Sequence, residues 1–321
     1  MVSRRLMLAG GLCAALATGA GVWERRQRAA LVEQARRSLE RCRESLGEAR
    51  LSDARRLAGE ALEASEDPAT LSGYVDAEAL WLVDGDGGAA DGVALVERAR
   101  LGGLRGRALA TALLSAAVST RNDRHALALY EQHERQGIEG DGVFELVAGA
   151  ALELACDPRA DALYEASIER WPGAVLPRLR RARSAIADGQ LERAREVLRP
   201  LADASEGRRV LEAVASSLGA SPGEPRGTFA PADAAALPRS VRPLAAALSL
   251  GDAAAALGVE AALDDADGPR AMVLLARVAR ARGDLDSAER AVRAAMRARP
   301  ELASAQLLAE QLAGTPNPTS P

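Results

Sequence analysis

Apolar positions recur along this chain at spacings of three and four. In residues 141–174, Phe144, Val147, Ala148 and Ala151 make one stripe, and Ala160, Leu163, Tyr164, Ser167 and Ile168 make a second. That spacing is the period of a helix with one buried face. Between the stripes stands Cys156-Asp157-Pro158, which breaks the first helix, because proline disfavours helical backbone in the residue before it. Trp171-Pro172 stops the second helix in the same way. The stretch predicts a helical hairpin. Two short helices cannot bury both stripes alone, so stacking on neighbours must complete the core.

The hairpin recurs. Residues 107–140, 141–174 and 175–208 are each 34 long and follow without a gap, with Ala126, Ala160 and Ala194 at the twentieth place. Earlier units at 35–68 and 73–106 put Ala54 and Gly92 there, and later units from Leu237 and Pro269 put Ala256 and Ala288 there. The unit from Pro269 also carries Leu275, Ala276, Gly283-Asp284, Val292, Ala295 and Pro300 at positions 7, 8, the inter-helix turn, 24, 27 and 32. These residues resemble the tetratricopeptide repeat. The resemblance implies an all-α fold, an α-solenoid of stacked helical hairpins forming a tetratricopeptide-like superhelix. Some positions depart from the pattern. Arg41, Arg181 and Pro243 stand where an apolar residue is usual, and His133 stands where a small one is.

Around the repeats the chain divides further. Leu6 to Trp23 is an uncharged run of 18 residues behind Arg4-Arg5, long enough to cross a hydrocarbon core of about 30 Å. Residues 1–23 are therefore expected to be an anchor or a signal sequence, and 24–34 a basic juxtamembrane helix. An array of about five repeats follows over 35–208. Residues 209–236, with Ser221-Pro222-Gly223-Glu224-Pro225, interrupt the array. Two further repeats and a capping helix over Glu301–Ala313 occupy 237–313, and 314–321 is expected to be a disordered tail. Ala15-Leu16-Ala17 and Thr18-Gly19-Ala20 are shaped for signal cleavage, whereas arginines packed just beyond the run favour a retained span. Arg25, Arg26 and Arg28 pull the following chain toward the cytoplasm, and Arg4-Arg5 pull the other way. The reading adopted is a single-pass span in a bacterial cell membrane with the repeats on the extracytoplasmic side. Cytoplasmic repeats, or secretion after cleavage, remain alternatives.

Composition narrows the function. The net charge is −4, which argues against nucleic acid as a partner. The basic excess sits near the apolar run, since residues 1–50 hold ten arginines against five glutamates. Asp84-Gly85-Asp86-Gly87-Gly88 has the opening of a calcium loop but reaches Leu95 where a bidentate glutamate is needed. His125 and His133 lie eight apart, about 12 Å along one helix, on what the period reads as a shared face but too far apart to share a metal. Cys42 and Cys156 are separated by three repeats, beyond disulfide reach. No catalytic residue, cofactor or metal is expected. What remains is recognition of a protein or peptide. In tetratricopeptide proteins, partners touch the first helix of each repeat on the concave face. The resemblance carries that role to Arg43, Tyr74, Trp81, Ser115, Glu145 and Arg183. The expected function is a scaffold or adaptor without chemistry of its own.

Overall fold

A computed structural model of the chain describes residues 26–85, 87–187, 190–201, 269–281 and 283–313. The expected span at 6–23, the interruption at 209–236, the unit from Leu237 and the tail at 314–321 lie outside the described residues. Among the described residues there are helices and turns only. They run α1 (26–47), α2 (Leu51–Ala64), α3 (Pro68–Asp84), α4 (Ala89–Leu101), α5 (Gly106–Ser119), α6 (Asp123–Arg135), α7 (Gly142–Leu154), α8 (Arg159–Arg170), α9 (Val175–Ala187) and α10 (Leu191–Leu198). After a short 3-10 turn come α11 (Pro269–Ala281), α12 (Leu285–Ala298) and α13 (Ala303–Ala313). No described helix is long and apolar enough to cross a membrane.

Local chemistry sets the ends of these elements. Asp67 caps α3 by accepting from the amides of Ala69 and Thr70, with Pro68 in the first turn. Asn122, Asp141 and Asp284 cap α6, α7 and α12 in the same manner. The turns inside the hairpins repeat one geometry. The Asp284 amide reaches back to the Ala279 carbonyl, Asn122 to Ala117, Asp157 to Leu152 and Arg50 to Ser45. Each needs a left-handed residue just before it, and these are Gly283, Arg121, Cys156 and Ala49, with φ of 80°, 52°, 56° and 61°. Only the first is a glycine.

Packing follows the repeat. Hairpins form between α3 and α4, α5 and α6, α7 and α8, α9 and α10, and α11 and α12, and the first helices stack in the order α3, α5, α7, α9, α11. The alanines at the twentieth place, Ala54, Ala126, Ala160, Ala194 and Ala288, are all completely buried. Gly92 takes the same place because a Cβ there would stand 3.0 Å from the Ala116 Cα, so only glycine lets α4 cross α5 this closely. The fold is an all-helical repeat array.

Two features go beyond a simple stack. The first helices also touch across a unit, α3 against α7 and α7 against α11. In consequence α7 is buried on every side from Phe144 to Glu153. The array coils tightly enough for Arg299, after α12, to pair with Asp123 at the start of α6. The core divides into one cluster from α1 through the start of α9 and a second from α9 through α13. In α1 the buried stripe is Ala35, Ser38, Cys42, Ser45 and Leu46, so Arg41 points to solvent while Cys42 and Ala54 keep the register of the expected unit. His125 and His133 do not share a face. His125 is exposed and His133 is buried, because eight residues are not a whole number of helical turns.

Candidate functional site

The structure disperses the six residues expected to line a concave face. Ser115 is fully buried and its hydroxyl donates to the Ala112 carbonyl. Arg183 is buried and ion-paired with Glu153 at 2.7 Å. Glu145 is buried and held by Arg170 at 2.9 Å. Tyr74 lies beneath the Arg98 guanidinium of α4, and Trp81 beneath that of Arg55 in α2, each ring centroid just over 5 Å away. Arg43 is exposed. The first helices that would carry such a face also touch one another across a unit, α3 against α7 and α7 against α11.

One of the six, Arg43, lines a cavity of about 190 Å³ between α1, α3 and the start of α7. Leu39, Cys42 and Leu46 supply an apolar wall from α1, Asp76 enters from α3, and Arg43, Asp141 and Trp171 complete the lining. Glu145 reaches this neighbourhood through Arg170, which also lines the cavity. Gly73 makes the approach possible. A Cβ there would stand 2.6 Å from a Leu39 methyl, so glycine lets α1 lie close on α3.

Electrostatics single out Asp76. Burial removes its water and pushes its carboxyl up to about 7, against the pull of Arg107 and Arg43 and with a further push from Asp141. Its Oδ1 is closed to solvent and accepts no hydrogen bond. Arg107 stands 3.6 Å away, and the same guanidinium hydrogen-bonds Asp141. Burial, and then Asp76, push the Cys42 thiol up to about 12, so it is a neutral wall and not a nucleophile. Burial also raises the Glu145 carboxyl, and its Oε2 accepts no hydrogen bond. Among the described residues no group of His, Cys, Asp or Glu side chains is placed to hold a metal ion.

The signal that marks this site in the sequence is the repeat period itself. Arg107 and Asp141 are one period apart, as are Cys42 and Asp76. Residues at the same place in successive units become neighbours when the units stack, so a charge pair at that spacing foretells an inter-repeat contact.

A second polar cluster lies deeper. Arg180 pairs with Asp84 at 2.9 Å and Glu153 at 3.2 Å, and donates to the Val83 carbonyl. The Tyr164 hydroxyl donates to Glu153 at 2.6 Å. Two arginines, Arg180 and Arg183, thus balance two carboxylates, and the cluster binds α3, α7, α8 and α9 together. A larger groove of about 490 Å³ between α2 and α4 is lined by Leu62, Leu71, Leu101, Glu97 and Arg98. Leu101 is almost wholly exposed, and the groove holds no buried side-chain oxygen or nitrogen lacking a partner.

In comparisons with known proteins the chain matches no family model, and no curated protein matches it.

Proposed function

We propose that this chain is a tetratricopeptide-like adaptor, held at a membrane by residues 6–23, that receives a segment of a partner protein at the mouth of the α1–α3–α7 cavity. It performs no catalysis of its own. The observation that carries this reading is the cavity, a polar recess between α1, α3 and α7 lined by Arg43, Asp76, Asp141 and Arg170. Anchoring is supported by the 18-residue uncharged run and by α1, whose first turns from residue 26 to 32 are exposed, Leu31 and Val32 included. A helix that stands clear of the core just after an apolar run suits a stalk between membrane and array.

Site-specific photocrosslinking in cells tests the reading. A photoreactive side chain at Arg43, on the rim, is expected to give one discrete protein adduct in the membrane fraction. The same group at Arg135, exposed at the end of α6, is expected to give none. Equal labelling at both positions, or none at Arg43, overturns the adaptor reading. A C-terminal alkaline phosphatase fusion, active only where its disulfides form, reports the side of the membrane.

A further inference from the structure

Two uncovered apolar features sit at one end of the array. Among the described residues the exposed large hydrophobic side chains are Leu31, Val32, Val93, Leu101 and Leu307, and four of these five belong to α1 and α4. In α1 the spacing of three and four that buries Ala35, Ser38 and Cys42 runs on backwards through Leu31 to Arg28, where the array no longer covers it. α1 and α3 lie side by side in the same direction, with Leu39 on Gly73 and with Cys42 and Asp76 on one cavity. In that register residue 34 is level with Pro68, the first residue of α3. Residues 26–33 therefore project past the start of α3 by about 12 Å.

The groove between α2 and α4 opens at the same end. Leu62 near the end of α2, Leu71 at the start of α3 and Leu101 at the end of α4 line it together. Glu66 and Glu97 stand on its rim, exposed, and neither is ion-paired among the described residues. Val93, Glu97 and Leu101 are four apart, so they continue the groove along one face of α4.

We propose that this groove receives residues 28–32 of α1 from a second copy of the chain, and that two copies exchange these segments about a twofold axis. Leu31 and Val32 lie on the groove's leucines, and Arg28 meets Glu66 and Glu97. Charge complementarity selects this occupant. Arg28 is exposed and makes no ion pair among the described residues, whereas Arg36 and Arg37 are both held by Glu33. Carboxylates without counter-charge beside exposed leucines favour an apolar segment that brings a cation, and the start of α1 is such a segment. The chain's own α1 cannot supply it, because α1 is one unbroken helix over 26–47 whose first turns lead away from the array. The contact is small when made once. The twofold exchange doubles it and closes, so association stops at two. An axis along the membrane normal would set two anchored chains side by side with both features at one height. That orientation rests on the anchor reading, and the exchange itself does not.

A benzophenone side chain at Leu101 of the full-length chain, irradiated in cells, tests the exchange. An adduct of twice the chain's mass is expected, with the cross-link mapped by mass spectrometry to residues 26–37. Arg28→Glu and Glu97→Arg are each expected to cut its yield about fivefold or more, and the two together, self-complementary again, to restore it. Leu31→Ser is expected to cut it as far while the helical circular dichroism spectrum is retained, since Leu31 is exposed. The doubled adduct recovered in the soluble fraction upholds the exchange and removes the membrane anchor. No doubled adduct with the chain still in the membrane fraction does the reverse. A cross-link mapped elsewhere, an adduct of another mass, unchanged yield in any single variant, or no recovery in the paired swap overturns the proposal.

Discussion

Arg121, Cys156 and Ala49 hold a left-handed backbone that costs a residue with a Cβ roughly 1–2 kcal/mol. Gly283 meets the same requirement without that cost. Arg121→Gly is therefore expected to raise stability by about 1 kcal/mol, after allowing for glycine's greater freedom in the unfolded chain. Chemical denaturation measures it, and a loss of stability would show that the turn geometry is not limiting. Glu153 argues the opposite way. Burial alone would raise its carboxyl, but the Arg183 and Arg180 charges and the Tyr164 hydroxyl hold it down at about 2. Its folded value lies below the unfolded one, so its stabilisation is complete above about pH 4.5 and is lost as pH falls toward 2. Glu153→Gln leaves two arginines around a neutral side chain and is expected to cost about 3–5 kcal/mol at pH 7. The cost should shrink steadily as wild type and variant are compared from pH 5 down to 2.5. A cost independent of pH would remove Glu153's charge from the account.

At the scale of elements, glycines set how closely helices approach. Gly149 lets α8 lay Tyr164 against α7, and a Cβ there would fall 2.6 Å from the ring. Gly73 does the same for α1 on α3, but the obstacle is the flexible end of Leu39. The two sites should differ accordingly. Gly149→Ala gains helix propensity of about 1 kcal/mol yet must displace a fully buried ring tied to Glu153. It is expected to lose about 1–3 kcal/mol net. Gly73→Leu should loosen α1 alone. Amide exchange would then quicken in residues 35–46 while α5 through α8 stay protected, and uniform acceleration along the chain would count against α1 as a separable layer.

At the scale of the molecule, the array departs from nearest-neighbour stacking. Arg180 meets Asp84 across 96 residues, and Arg299 meets Asp123 across 176. In an ideal solenoid, stability is a sum of units and adjacent interfaces. Ties across units make distant segments unfold together. A double-mutant cycle tests this. Asp84→Asn and Arg180→Met are each expected to cost about 3–5 kcal/mol, and the pair together at least about 1 kcal/mol less than the sum. Strict additivity would mean that the pair packs without coupling.

Among the described residues, the helical hairpins and the crossing points at Ala54, Gly92, Ala126, Ala160, Ala194 and Ala288 were legible in the residues alone. Helical period, proline breaks and small residues at a fixed place are local signals, and they repeat. Only the tertiary structure decided which polar groups go inside. Nothing local marks Asp76, Glu145 or Arg180 as buried and Arg41 or His125 as exposed. Burial depends on how far each unit turns against the last, and that rotation accumulates over the array. It brings α3 against α7, buries Ser115, Glu145 and Arg183, which were expected to face a partner, and leaves the Asp76 cavity beside α1.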